Sequence, residues 1–200
     1  MVTRQSQNDA PAIDWDEVLT PPEELAAATR ELIPAVSPLS AEDLEEMAIA
    51  IRDRPELWQP LLVVDAFRRR YRLLFEDERT DIWVLCWMPG QCTGFHDHDI
   101  SDVGIAIAQG MIVERQLRLP TGATSLELRP GDTRQGPAGY IHSVAHGEGM
   151  PAVSIHCYSP PLMKVGQYRV DAEGVLRRDA EHGRRELVDE TIARIAPELV

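Results

Sequence analysis

The sequence predicts a mainly β chain, a small closed barrel or sandwich with helices ahead of it and one short helix behind. Three observations carry this expectation. From about residue 70 onward the chain breaks into short runs rich in β-branched and aromatic side chains, such as I-W-V-L-C-W, V-G-I-A-I-A and A-V-S-I-H-C-Y. Turn-forming residues separate them, as in M-P-G, P-T-G, R-P-G-D, G-P-A-G and G-E-G-M-P. Before residue 62 the apolar residues recur with helical period instead. Many short strands at such spacing close on one another.

Two hundred residues suit a single domain. Residues 1–13 are polar and expected to be disordered, so that 14–200 form the domain. Its helical N-terminal extension is expected over 14–61 and its barrel core over about 69–172. P-P-E-E-L-A-A-A-T-R-E-L-I opens with prolines where a helix begins. In S-A-E-D-L-E-E-M-A-I-A-I, Ser40 is placed as an N-cap with Asp43 three residues on. The barrel runs follow: Y-R-L-L-F, I-W-V-L-C-W, V-G-I-A-I-A, M-I-V-E-R-Q-L-R-L, S-L-E-L, Y-I-H-S-V and A-V-S-I-H-C-Y. R-R-E-L-V-D-E-T-I-A-R-I then returns to helical period.

Charge narrows the function classes. Thirty-three acidic residues against twenty basic ones leave a net charge of −13. A nucleic-acid surface needs a basic face, and an anionic lipid surface repels such a chain. No apolar run approaches the roughly 18 residues that span a bilayer. M-V-T-R-Q-S-Q-N-D-A-P-A lacks the apolar centre of a signal peptide. Cys86, Cys92 and Cys157 are an odd number without framework spacing, which suits reduced thiols and a cytoplasmic location. A monomer and a homodimer are equally compatible with the chain.

His96 and His98 stand two apart in G-Q-C-T-G-F-H-D-H. On an extended strand, residues i and i+2 share a face, so both imidazoles can meet one ion in a barrel interior. Gly90 lies six positions before His96 and Gly110 twelve after His98. Further on, Gly131, Pro137, Gly139 and His142 fall in G-D-T-R-Q-G-P-A-G-Y-I-H-S-V-A-H. These two stretches resemble the first and second motifs of the cupin superfamily. The resemblance implies a cupin barrel, or jelly roll, in which His96, His98 and His142 converge on a metal. Two positions depart from the pattern. The glutamate that usually adds a fourth ligand is Val103, and the asparagine of the second motif is His146. Asp102, on the opposite face of a regular strand, reaches the site only through a bulge. Three neutral histidines suit Fe(II) or Zn(II), with several coordination positions left open.

A second constellation is S-I-H-C-Y-S-P-P, where Ser154, His156 and Tyr158 alternate on one strand face. A hydroxyl, an imidazole and a phenol so placed can form a hydrogen-bonded row. The prolines must leave the sheet, and one of these X-Pro bonds is a candidate for cis. With I-W-V-L-C-W-M-P-G ahead of H-D-H, the stretch from about 38 to 165 resembles the cysteine dioxygenase family of thiol dioxygenases. That resemblance implies Fe(II) as cofactor and a small thiol and O₂ as partners, with a sulfinic acid as product. It implies Tyr158, His156 and Ser154 as the catalytic row, and an arginine of an early strand as the carboxylate anchor. Arg72 in R-R-R-Y-R-L-L-F aligns best, Arg70 shares its face, and Arg169 is a candidate from the far side. Animal members carry a cysteine crosslinked to the tyrosine. Cys157 falls on the opposite strand face from Tyr158, so this chain resembles the bacterial type without the crosslink. The sequence leaves the thiol open among cysteine, 3-mercaptopropionate, cysteamine, mercaptosuccinate and a specialised biosynthetic thiol. A different metal-dependent cupin enzyme, another dioxygenase or an isomerase, and a non-catalytic ligand-binding cupin are the alternatives.

Overall fold

A computed structural model describes residues 15–118 and 121–182. The disorder expected over 1–13 and the helix expected near 184–195 lie outside the described residues. Four helices come first: α1 (Trp15–Leu19), α2 (Glu23–Arg30), α3 (Ala41–Arg52) and α4 (Pro55–Trp58). α3 starts where Ser40 places it. The Ser40 hydroxyl accepts from the Asp43 amide at 3.2 Å, and the Asp43 carboxylate accepts from the Ser40 amide at 2.8 Å. Two otherwise unsatisfied helix-start donors are thereby paired. The apolar stripe Leu44, Met47, Ala48 and Ile51 then faces inward.

Eleven strands follow among the described residues. They are β1 (Arg70–Glu76), β2 (Asp81–Trp87), β3 (His96–Asp97), β4 (Asp102–Gln109), β5 (Ile112–Arg118) and β6 (Gly122–Leu128), then β7 (Thr133–Gly136), β8 (His142–His146), β9 (Ala152–Ser159), β10 (Lys164–Val170) and β11 (Leu176–His182). One sheet runs β1-β2-β9-β4-β7 and the other β11-β10-β3-β8-β5-β6. Their pairings are antiparallel. The two sheets face each other as a cupin barrel; α2, α3 and α4 cover the outer face of the first, and Val18 of α1 packs with Tyr71 on the barrel side.

β11 lies past residue 172, where the sequence suggested the barrel core would end, and pairs with β10. β11 is L-R-R-D-A-E-H, an edge strand whose residues 177–180 are exposed, so no apolar alternation marks it. β3 has only two residues and β7 only four, too short to register as periodic runs.

The core has two parts, divided by the first sheet. Leu44, Met47 and Ile51 of α3 pack with Ile82, Val84, Ile155 and Cys157 on its outer face. Trp83, Trp87, Val103, Ile105 and Tyr158 pack with Ile112, Val144 and Val165 of the second sheet inside the barrel. β9 is central and buried on both faces. Its odd positions feed the helical core, and its even positions Ser154, His156 and Tyr158 face the barrel. Gly104 lets α3 sit this close, because a Cβ there would come within 2.2 Å of the Leu44 carbonyl carbon.

Candidate metal centre

The site grows from two short strands paired edge to edge. β3 pairs β8 through His96 opposite His142. Strand alternation brings His98 to the same side as His96, and Asp97 to the other. Ring centroids lie 5.2 Å apart for His96 and His98, 4.6 Å for His96 and His142, and 5.0 Å for His98 and His142. One nitrogen of each ring lies within 4.8 Å of the others, and among the described residues this is the group able to hold an ion.

The hydrogen bonds orient the rings. His96 Nδ1 donates to the Gly94 carbonyl at 3.0 Å, leaving Nε2 as its lone-pair nitrogen. His142 Nδ1 donates to Glu114 Oε1 at 2.8 Å, again leaving Nε2. The Nε2 atoms of His98 and His142 stand 3.3 Å apart. Two nitrogens each about 2.1 Å from one shared ion would lie about 3.0–3.4 Å apart, so the pair fits a first-row divalent metal. Buried His98 Nδ1 has no hydrogen-bond partner among the described residues. Burial, then the neighbouring His142, lowers the His96 pKa to about 3. The same causes hold His98 well below the ordinary histidine value. Both are therefore neutral near pH 7, the form that ligates.

Asp102 does not join them. Its carboxylate accepts from the Ala138 amide at 2.6 Å on the outer side, since β4 has no bulge there. Val103 is fully buried and pairs with Tyr158 across β4 and β9. The fourth-ligand position is thus an apolar wall. His146 turns to the Met150 carbonyl at 3.0 Å instead.

Asp97, between the two histidines, is held from behind. Arg178 donates to both of its oxygens at 2.7 Å, and the Tyr168 hydroxyl donates at 2.6 Å. Burial opposes the Asp97 charge, but the bonds from Arg178 and Tyr168 outweigh it and set a pKa of about 2.

Ser154, His156 and Tyr158 form the row their spacing suggests. Ser154 Oγ lies 2.9 Å from His156 Nε2, and His156 Nδ1 lies 3.2 Å from the Tyr158 hydroxyl. Trp87 of β2 extends it, its indole N–H donating to Ser154 Oγ at 2.9 Å. The Tyr158 ring sits 4.8 Å from His98. Burial raises the Tyr158 pKa above that of an ordinary phenol, so it stays protonated. Ser159–Pro160 is cis. Cys157 faces the helical core, where burial pushes its thiol pKa up.

The arginines expected at the substrate turn away. Arg72 pairs with Glu17 of α1, and Arg70 lies 3.6 Å from Asp65. Arg169 pairs with Asp179 at 2.7 Å on the exposed β10–β11 ribbon. The cause is strand alternation with the opposite face turned inward. Tyr71 stacks edge-on against Trp83 at 5.5 Å inside the barrel, so Arg70 and Arg72 face out and Arg69 faces in. Arg69 lines the cavity and lies over the Trp87 ring at 5.0 Å. A count of two back from Tyr71 would have found it.

The cavity holds about 60 Å³, room for about four to six water molecules. Its polar wall is His96, His98, His142, His156, Tyr158, Tyr71, Thr93 and Arg69. Trp83, Leu85, Trp87, Val144, Leu162 and Val165 make the rest.

Known proteins resemble this chain along most of that span. The family description "Cysteine dioxygenase type I" matches residues 20–171. Cysteine dioxygenase type 1 of Danio rerio is 26% identical over 137 residues, which cover 62% of this chain and 67% of that protein. The Homo sapiens protein of the same name is 26% identical over 136 residues, with the same coverage of 62% and 67%. Among solved structures, a Thermus thermophilus protein is 25% identical, covering 52% of this chain and 93% of its own, at a TM-score of 0.46. A cupin superfamily protein from Desulfitobacterium hafniense is 20% identical, covering 51% and 86%, at 0.44.

Proposed function

The chain belongs to the cysteine dioxygenase type I family, and on that premise we propose that it is a non-haem Fe(II) thiol dioxygenase. Its reaction adds both atoms of O₂ to the sulfur of a small thiol acid, so that a thiolate becomes a sulfinate and no other atom is lost. The observation that carries this reading is the meeting of three imidazoles, one buried arginine and a phenol row around a single 60 Å³ cavity. His96, His98 and His142 would hold the iron, which when bound would ligate the thiolate and activate O₂.

This chain's own groups do the rest. The cavity admits a molecule of a few heavy atoms, which suits cysteine or a mercapto acid and excludes a peptide. Among the described residues Arg69 is the cation that lines it, and its guanidinium fork matches a carboxylate. Burial penalises the Arg69 charge, and a bound carboxylate would offset that cost. Trp83, Trp87 and Leu162 give the cavity apolar walls.

The phenol row has a direction. The Trp87 N–H can only donate. Ser154 accepts from it and, with the His156 proton on Nδ1, gives its own hydrogen to His156 Nε2. His156 Nδ1–H then donates to the Tyr158 oxygen, and the Tyr158 O–H is left to point at the reacting sulfur. The row holds a proton at Tyr158 and aims it.

The test is O₂ uptake by Fe(II)-loaded protein against a panel of thiols, with mass detection of the sulfinate. One O₂ consumed per sulfinate formed with one thiol is the expected result. Bound iron with no uptake on any thiol would overturn the reading and return the barrel to other metal-dependent cupin chemistry.

A further inference from the structure

The three histidines are not equivalent donors. Each ring has a second nitrogen, and its partner governs how strongly the first can donate. For His98 that partner is absent among the described residues; for His96 it is the Gly94 carbonyl; for His142 it is the Glu114 carboxylate. An anionic acceptor draws the Nδ1 proton and makes the imidazole more basic at Nε2. His142 is therefore the strongest donor of the set.

Glu114 is placed for this by strand period. Ile112, Glu114 and Gln116 alternate inward on β5, and Glu114 is only 3% exposed. A buried carboxylate is costly unless its oxygens are paired. Here Oε1 accepts from His142 at 2.8 Å and from the Tyr140 hydroxyl at 3.2 Å. Oε2 accepts from Arg134 Nε at 2.9 Å. Arg134 comes from β7 at the rim, with its side chain 31% exposed, so solvent shares its charge and the carboxylate is not fully neutralised.

We propose that Glu114 is a positioning residue that supplies, through His142, the negative charge a carboxylate ligand would bring at the position of Val103. The charge reaches the metal without taking a coordination position. The open positions stay free for the thiol and O₂, while the metal is bound more tightly and made easier to oxidise. Arg134 is the counterweight, drawing on the same carboxylate from the rim. The inference rests on the reading that His96, His98 and His142 hold a divalent metal.

The test uses the full chain and three variants: Glu114→Gln, which keeps an acceptor oxygen but loses the charge, Glu114→Asp, and Arg134→Met. Two quantities are read. One is the Kd for Fe(II), and for Co(II) as a redox-inert probe, by chelator competition. The other is the Fe(III)/Fe(II) midpoint potential. Glu114→Gln is expected to weaken metal binding about 10–100-fold and raise the potential. Glu114→Asp is expected to recover part of both, and Arg134→Met to move the potential the opposite way. Wild-type affinity and potential in Glu114→Gln would overturn the proposal and leave Glu114 a buried structural carboxylate. If Glu114→Gln fails to fold, an unchanged potential in Arg134→Met overturns it instead. Wild-type protein that binds neither Fe(II) nor Co(II) would sink the metal reading itself, a separate outcome.

Discussion

Arg178 grips Asp97 by both carboxylate oxygens, at 2.7 Å each, from a strand 81 residues further along the chain. Asp97 is the middle residue of the H-D-H triplet, so this pair anchors the backbone that carries two of the three imidazoles proposed to hold the metal. Arg178→Met leaves the Asp97 carboxylate buried with the Tyr168 hydroxyl and the Asp99 amide as its remaining donors. We expect a stability loss of about 2–3 kcal/mol in urea unfolding. Iron retention should fall with it, although no ligand has been changed.

Gly166 makes that grip possible. It pairs with Asp97 across β10 and β3, and a Cβ there would lie 2.3 Å from Arg178 Nε. Gly166→Ala should push the guanidinium aside and reproduce most of the Arg178→Met loss. In the double variant the two losses should overlap and not add, which a mutant cycle measures. Full additivity would mean that Gly166 acts elsewhere.

The approach of α3 to β4 offers a sharper steric test. At Gly104 the obstacle is the Leu44–Glu45 backbone and not a flexible side chain. Gly104→Ala therefore cannot be relieved by a rotamer change. A loss of about 3 kcal/mol is expected, at the upper end of ordinary overpacking, read as a lower denaturant midpoint.

The inward and outward arginines of the early strand should behave oppositely. Arg69→Met is expected to raise KM for a carboxylated thiol about 10–100-fold. Its effect on cysteamine, which has no carboxylate, should be small. Arg72→Met removes the ion pair with Glu17 and should leave both KM values near wild type. The reverse pattern would restore Arg72 as the anchor.

Tyr158→Phe should retain iron and slow turnover about 10²-fold, the usual cost of one well-placed donor. Trp87→Phe removes only the donor at the far end of the row. A smaller loss in the same direction, with iron content unchanged, would support the direction argued for the row. Wild-type rate and yield in Tyr158→Phe would remove its role.

Much of the barrel and the site was legible in the chain. H-D-H and S-I-H-C-Y each place their polar residues at steps of two, and a strand turns that spacing into a shared face wherever it lies. The α3 start was legible for the same reason, since Ser40 and Asp43 act within one turn. β11 was not, because a solvated edge strand carries no apolar alternation. Glu114 was not singled out either: one acidic residue in M-I-V-E-R-Q looks like a surface charge until Ile112 beside it is seen to be buried.

Sequence alone determined what is local: the strand period, the helix cap, the spacing of the histidines and the absence of a carboxylate at Val103. Tertiary structure decided what depends on contacts across the chain. Arg69, Arg70 and Arg72 occupy one continuous basic run, and nothing within it says which side is inside. That was settled by Tyr71 packing on Trp83 and by α1 presenting Glu17 to the outer face. The choice of Arg178 for Asp97, and of Glu114 for His142, follows the same logic. Backbone alternation is set by neighbouring bonds, but the direction of a face is set by which burial wins over the whole fold.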